Sequence, residues 1–218
     1  MSAPKLHLHM MPGACSMAGH ILLREAGLEF DETIYLKDDL IKKGGYPEEF
    51  KKINPKAKIP VLQVDDEVIT ENPAIFTYIS QLAPSNNFLG KTPLETVRAY
   101  EWFNYLSSSV HGQAYGMFYR PDRWTDVTDG SLNKHVQARG KQTIQECYKY
   151  IDSKLEGKKW AVGDNFTAVD AYLFVFYSWG AKSVGLPMEE DYPNFSRIAT
   201  QVTQRESAKE VLKAEGLI

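Results

Sequence analysis

The chain has 218 residues, of which 43% are hydrophobic and 24% charged, with a net charge of -3. That is long enough for one large domain or two modest ones, and the balance excludes a disordered chain. The near-neutral charge has no long run of one sign, which excludes a general nucleic-acid footprint. Two cysteines, Cys15 and Cys147, exclude a disulfide framework and fit a reducing compartment. The N-terminal residues lack the apolar stretch of a signal peptide, and no segment approaches the ~20 apolar residues of a membrane helix. The expected location is therefore the cytoplasm, with no membrane partner.

In chain order, Leu6, Leu8 and Met10 alternate with Lys5, His7 and His9, a strand pattern that Pro12-Gly13 breaks. Ser16 to Ala26 reads as a helix stopped at Gly27, and Leu28 to Leu36 as a second strand. A polar stretch containing Gly44-Gly45 follows. Ile59 to Val64 and Val68 to Thr70 read as a hairpin around Asp65-Asp66-Glu67. Pro73 opens a helix to Ala83, with Ile75, Ile79 and Leu82 along one side. Pro84 to Pro93 is the expected boundary, giving an α/β domain over 1–85 and an all-helical one over 92–218. Beyond it, helices are expected at 92–109, 132–155, 167–184, 193–204 and 207–215, the third of them strongly apolar and central.

Four groups of residues bear on chemistry. Cys15 and Ser16 sit where a strand turns into a helix, and the first amides of a helix favour an anion. Cys15 is therefore expected to titrate below a free cysteine, and Ser16 to donate to a second thiolate; the alternative is a buried small residue and a plain cap. Ile59-Pro60 precedes an apolar strand: a cis bond there would expose the Ile59 backbone to a peptide ligand, and an ordinary trans edge proline is the alternative. Glu71 and Asn72 stand at a hairpin–helix junction, Asn72 as N-cap and Glu71 as acceptor for an ammonium group, together suiting an amino-acid head group. His111 follows an aromatic helix and would reach a thiol site, or simply end the helix. Thr167-Ala168-Val169-Asp170 is a capping box with a folding role. His7 and His9 form an H-x-H pair without an evident third ligand, so no metal site is expected. Cys147 lies in an apolar stripe, and Tyr115, Phe118 and Tyr119 are either core or the wall of an apolar pocket.

The whole chain resembles the glutathione transferases, the bacterial-type beta class in particular. The resemblance rests on Pro12 to Glu25 (PGACSMAGHILLRE), Asn54-Pro55-Lys56 leading to Ile59-Pro60-Val61-Leu62, Thr70-Glu71-Asn72, Glu101 to Tyr105 with His111, Phe118 to Asp122, Gly163 to Phe174, and the ending Ala214 to Ile218. It implies an N-terminal thioredoxin-like α/β domain and a C-terminal all-α helical domain, a homodimer, and glutathione as co-substrate. It implies that glutathione lies against Cys15, Ser16, Ile59, Pro60, Glu71 and Asn72, with His111 contributed by the helical domain. Two departures stand out. Met10-Met11 replaces the tyrosine that often precedes the Pro-Gly turn, and Gly112 replaces a lysine. Contacts from Lys37, Lys42 or Lys43 do not align with the class.

The leading expectation is conjugation of reduced glutathione to hydrophobic electrophiles held near Tyr115, Phe118 and Trp179, in detoxification. The rivals are a thiol–disulfide oxidoreductase using Cys15 directly, a tailoring enzyme in small-molecule biosynthesis, and a non-catalytic binding protein on the same fold.

Overall fold

A computed structural model of the protein describes residues 3–218; Met1 and Ser2, at the head of the segment read above for a leader, lie outside the described residues. The chain divides into two compact units, one formed by residues up to 89 together with 201–218, the other by 90–200.

The first unit is built on a four-stranded sheet. β1 (Leu6–Met10) pairs in parallel with β2 (Asp31–Ile34) and antiparallel with β3 (Val61–Val64), which pairs antiparallel with β4 (Glu67–Thr70), giving the order β2-β1-β3-β4. Leu6, Leu8 and Met10 are buried, as alternation predicts, but His9 is buried too. Its face is covered by Tyr35 and Phe50 and its two ring nitrogens meet the Tyr35 hydroxyl and the Gln63 side-chain oxygen. Burial lowers the His9 pKa, against the raising effect of the Gln63 contact.

α1 (Met17–Glu25) is buried at every position from Met17 to Leu23, because α4 (Asn72–Leu82) and α11 (Glu206–Ala214) both pack on it. At about 1.5–3 kcal/mol for each large aliphatic chain taken out of water, Ile21, Leu22 and Leu23 make this helix the pivot of the unit's core. Gly27, at φ +64, ends it, and the Leu28 N–H turns back to the Leu23 carbonyl. That bond explains why β2 is shorter than expected: Leu28 serves the helix end and cannot join the ladder, whose register begins with Asp31 opposite His7. The polar stretch contains two short helices, α2 (Lys37–Lys42) and α3 (Glu48–Ile53), that bury only Phe50 between them. One buried residue in twelve leaves no periodicity for a sequence pattern to register.

The second unit is helical. α5 (Pro93–Tyr105) starts at a Thr92–Glu95 capping box and widens into a π-helical stretch, Leu106–Tyr115, before α6 (Gly116–Tyr119). α7 (Asn133–Leu155), α8 (Ala168–Trp179), the short α9 (Met188–Asp191) and α10 (Pro193–Thr203) follow. α8 is buried on all sides from Ala168 to Phe176. Its start is fixed by Asp170, whose carboxylate accepts from the Ala161 and Thr167 amides and the Thr167 hydroxyl, each at 2.8 Å. Cys147 is buried, in keeping with its apolar stripe. At Gly180 a Cβ would fall 2.5 Å from the Tyr148 ring and 2.9 Å from the Met188 sulfur, so only glycine lets α7 and α9 close there. Among the described residues no helix is long and apolar enough to cross a membrane.

Candidate functional site

The turn from β1 into α1 is tightened by three contacts. Gly13 adopts φ +68, a conformation suited to glycine, and its N–H donates to the Glu215 carboxylate at 2.7 Å. The other carboxylate oxygen meets His20 Nδ1 at 3.0 Å, so a fully buried pair ties the last helix to the first. The Ser16 hydroxyl accepts from the Met11 amide at 3.2 Å and donates to the Met11 carbonyl at 3.1 Å. Ser16 is completely buried, and its single proton closes this turn. Neither His20 nor Glu215 shows a pattern in the sequence that would mark it, since the pair is 195 residues apart.

Cys15 lies beside two of the residues expected with it. Its thiol donates to the Ile59 carbonyl at 3.7 Å, and the Asn72 side-chain amide donates to the Cys15 carbonyl at 3.2 Å. The Ile59–Pro60 peptide is cis, and Pro60 is buried. The expectation of a lowered thiol pKa is overturned: burial pushes Cys15 up to about 12, more than the Asn72 amide and the local backbone amides pull it down. The helix does not begin until Met17, and the thiol, 7% exposed, carries a desolvation cost that the Asn72 side chain and the Cys15 and Ser16 amides do not offset, with the Glu71 carboxylate acting in the same direction as burial.

Glu71 and Asn72 follow β4. Asn72 is not the N-cap as expected; Glu71 holds that place, and Asn72 is the first helical residue of α4. Glu71 takes φ +72, the left-handed region that a non-glycine residue seldom occupies, and such strain concentrates where function holds it. Its exposed carboxylate pairs with Lys56, whose ammonium also donates to Thr70 Oγ1 at 2.8 Å. Asn72 is 5% exposed, and its Oδ1 is buried without a partner. An orphaned acceptor beside strained backbone is a place for an ammonium or amide donor. Asn54, also buried, shapes the approach: its side chain donates to the Lys58 carbonyl and accepts from the Lys56 amide. Lys42 stands exposed in the last turn of α2.

His111 belongs to the helical unit, in its π-helical stretch, with its ring 5.9 Å from Phe176 and 5.2 Å from Trp179. Tyr115, expected as core or pocket wall, is core: it is 1% exposed and its hydroxyl meets that of Tyr148 at 2.6 Å. The first unit thus brings Cys15, Ser16, Ile59, Pro60, Glu71 and Asn72 around one helix junction. His7 is occupied by Thr33 as His9 is by Gln63 and Tyr35, and no cluster of three or more His, Cys, Asp or Glu side chains able to hold a metal occurs among the described residues.

Residues 4–81 match the family profile described as the glutathione S-transferase N-terminal domain, and residues 109–206 that of the C-terminal domain. The sequence is 31% identical over 216 residues to the glutathione S-transferase GstA of Escherichia coli O157:H7, covering 97% of this chain and all of that one. The fold is similar to that of a glutathione S-transferase from Xylella fastidiosa, with a TM-score of 0.86 at 29% identity over 98% of this chain and all of the other. A sphingomonad glutathione S-transferase solved in complex with glutathione is similar at a TM-score of 0.81 and 31% identity, covering 97% of this chain and 100% of that chain.

Proposed function

Because the chain belongs to the glutathione S-transferase family, we propose that it conjugates reduced glutathione to a small hydrophobic electrophile carried by its helical part, from residue 92 onward. The observation that carries the reading is the convergence on Asn72: a buried amide that holds the Cys15 carbonyl with one atom and leaves the other unpartnered, next to a strained, anionic Glu71. Residues 1–85 bind the tripeptide. Glu71 takes its ammonium group, Asn72 Oδ1 accepts from its γ-glutamyl end, and the backbone of Ile59, set by Pro60, pairs with its peptide portion in strand fashion.

Cys15, Ser16 and His111 act on the sulfur. A conjugation needs the glutathione thiol deprotonated, then S–C bond formation and departure of the leaving group. Cys15 acts as a neutral S–H donor, because its own anion is suppressed by burial. Ser16 turns its proton from the Met11 carbonyl to the thiolate, and His111 orients the tripeptide. The same burial argues against Cys15 as the attacking group of an oxidoreductase. A cytoplasmic homodimer active in detoxification completes the proposal.

Calorimetry with glutathione and turnover of 1-chloro-2,4-dinitrobenzene test it together. Glu71→Gln, an exposed change, should weaken glutathione binding about tenfold, or about 1.4 kcal/mol, with an unchanged thermal midpoint. Absence of both binding heat and turnover in the unaltered protein would refute the reading.

A further inference from the structure

A cavity of about 260 Å³ opens on the helical unit, lined by Gly112, Gly116, Arg120, Arg123 and Trp124. It is not where the aromatic residues suggested a pocket. Tyr115, Phe176 and Trp179 pack on one another within 5.0–6.0 Å, and none of them lines this cavity. Gly112 and Gly116 lie four residues apart on the helix, and Arg120 follows its end at the turn into Pro121–Trp124. Glycine lets its neighbours close in: a Cβ at Gly116 would stand 3.2 Å from Trp124 Cζ2, so the indole is seated on the backbone there, and one at Gly112 would stand 3.1 Å from the Ser107 carbonyl. After α6 a 3₁₀ turn, Pro121–Trp124, folds back and brings Arg123 and the indole to the same opening.

The charge at this opening is unusual within the molecule. Arg24 lies over Phe30, Arg98 pairs with Glu101, Arg139 with Glu146 and Arg205 with Glu25, while Arg197 donates to the carbonyls of Leu155 and Lys158. Among the described residues, no carboxylate pairs with Arg120 or Arg123. Asp122, between them in the chain, is not part of the lining. Two unpaired guanidinium groups and a half-exposed indole seated on the Gly116 backbone form a cleft that is cationic at one side and flat and apolar at the other. Guanidinium groups match a carboxylate in two-pronged geometry, and an indole offers a face for a ring. The volume lies just under the ~300 Å³ at which sites for drug-sized ligands begin, which suits one substituted ring.

We infer that the electrophile of this protein is an aromatic carboxylate, its carboxylate held by Arg120 and Arg123 and its ring by the exposed face of Trp124. This rests on the transferase reading above and narrows its substrate. With 4-chloro-3-nitrobenzoate, the glutathione thiolate attacks the chlorine-bearing carbon, a C–S bond forms, chloride leaves, and the thiol proton passes to water.

The test compares 4-chloro-3-nitrobenzoate with its neutral amide, 4-chloro-3-nitrobenzamide, in the full-length protein with glutathione. The ratio of kcat/KM for acid over amide should fall at least tenfold in the Arg120→Ala/Arg123→Ala double variant. It should recover in part in Arg120→Lys/Arg123→Lys, which restores charge but not the planar fork. A ratio that stays within about twofold of the unaltered protein's in both variants overturns the inference. Calorimetry without glutathione separates this from the parent reading, using the unreactive 3-nitrobenzoate and 3-nitrobenzamide. If neither chloride turns over, the transferase reading falls, and tighter binding of 3-nitrobenzoate that both alanine changes abolish still upholds the cationic site. Equal binding of the two overturns it.

Discussion

Whether a thiol reacts depends on how well its surroundings hold the anion, and at Cys15 two influences oppose each other. Amides at the head of α1 and the Asn72 side chain favour the thiolate, while burial disfavours it and prevails, leaving a pKa of about 12. At pH 7 that leaves about one thiolate in 10⁵. Cys15→Ser keeps a hydrogen-bond donor of nearly the same shape, so kcat/KM for conjugation should change by less than about threefold. A mechanism through the Cys15 anion would instead lose about 10³-fold or more, and steady-state kinetics of the one variant decides. Ser16 is a different case, because its hydroxyl serves the Met11 backbone on both sides. Ser16→Ala should cost about 1–3 kcal/mol of stability by leaving buried backbone groups unsatisfied, read as a shifted denaturation midpoint, in addition to any loss of rate.

At the scale of elements, α8 depends on one carboxylate. Burial raises Asp170 from 3.8 to about 6, against the pull of the Ala161 and Thr167 donors. Its folded pKa lies above the unfolded one, so the stability it contributes is complete below about pH 4 and is lost as pH rises through 6. Two pKa units correspond to about 3 kcal/mol. Glu25 has the opposite sign. Burial alone would raise it, but Arg205 and Ser207 outweigh burial and hold it low, so its contribution is lost as pH falls. Asp170→Asn should therefore flatten the decline in stability between pH 4 and 6 seen in urea titrations, leaving the Glu25 limb at lower pH. The Thr167–Asp170 box was legible in the sequence because all its parts lie within four residues. The long helices were legible for a similar reason, since Ile144, Cys147, Tyr148, Ile151 and Leu155 repeat at helical spacing. Elements made by distant partners were not. α2 and α3 bury too little to leave a pattern, β2 loses its first residues to the end of α1, and the role of Asn72 depends on a carbonyl 57 residues away. The cationic cleft was equally hidden, because only the turn after α6 brings Arg123 and Trp124 beside Gly116.

For the whole molecule, the decisive contacts join its two ends. Glu215 caps the turn at Gly13 and meets His20, Arg205 binds Glu25, and α11 lies along α1. Glu215→Ala leaves a buried imidazole and a buried amide without their acceptor and should lower stability by about 2–4 kcal/mol, with faster hydrogen exchange at the Gly13 amide as its local sign. The arrangement also fixes an order of events during synthesis. The N-terminal segment leaves the ribosome first, yet one flank of α1 is covered by α11, which is made only after the whole of the helical unit. A nascent chain stalled before residue 205 exposes the flank of α1 that α11 covers, an apolar surface that chaperones bind, so the first unit closes only after residues 201–218 have joined it.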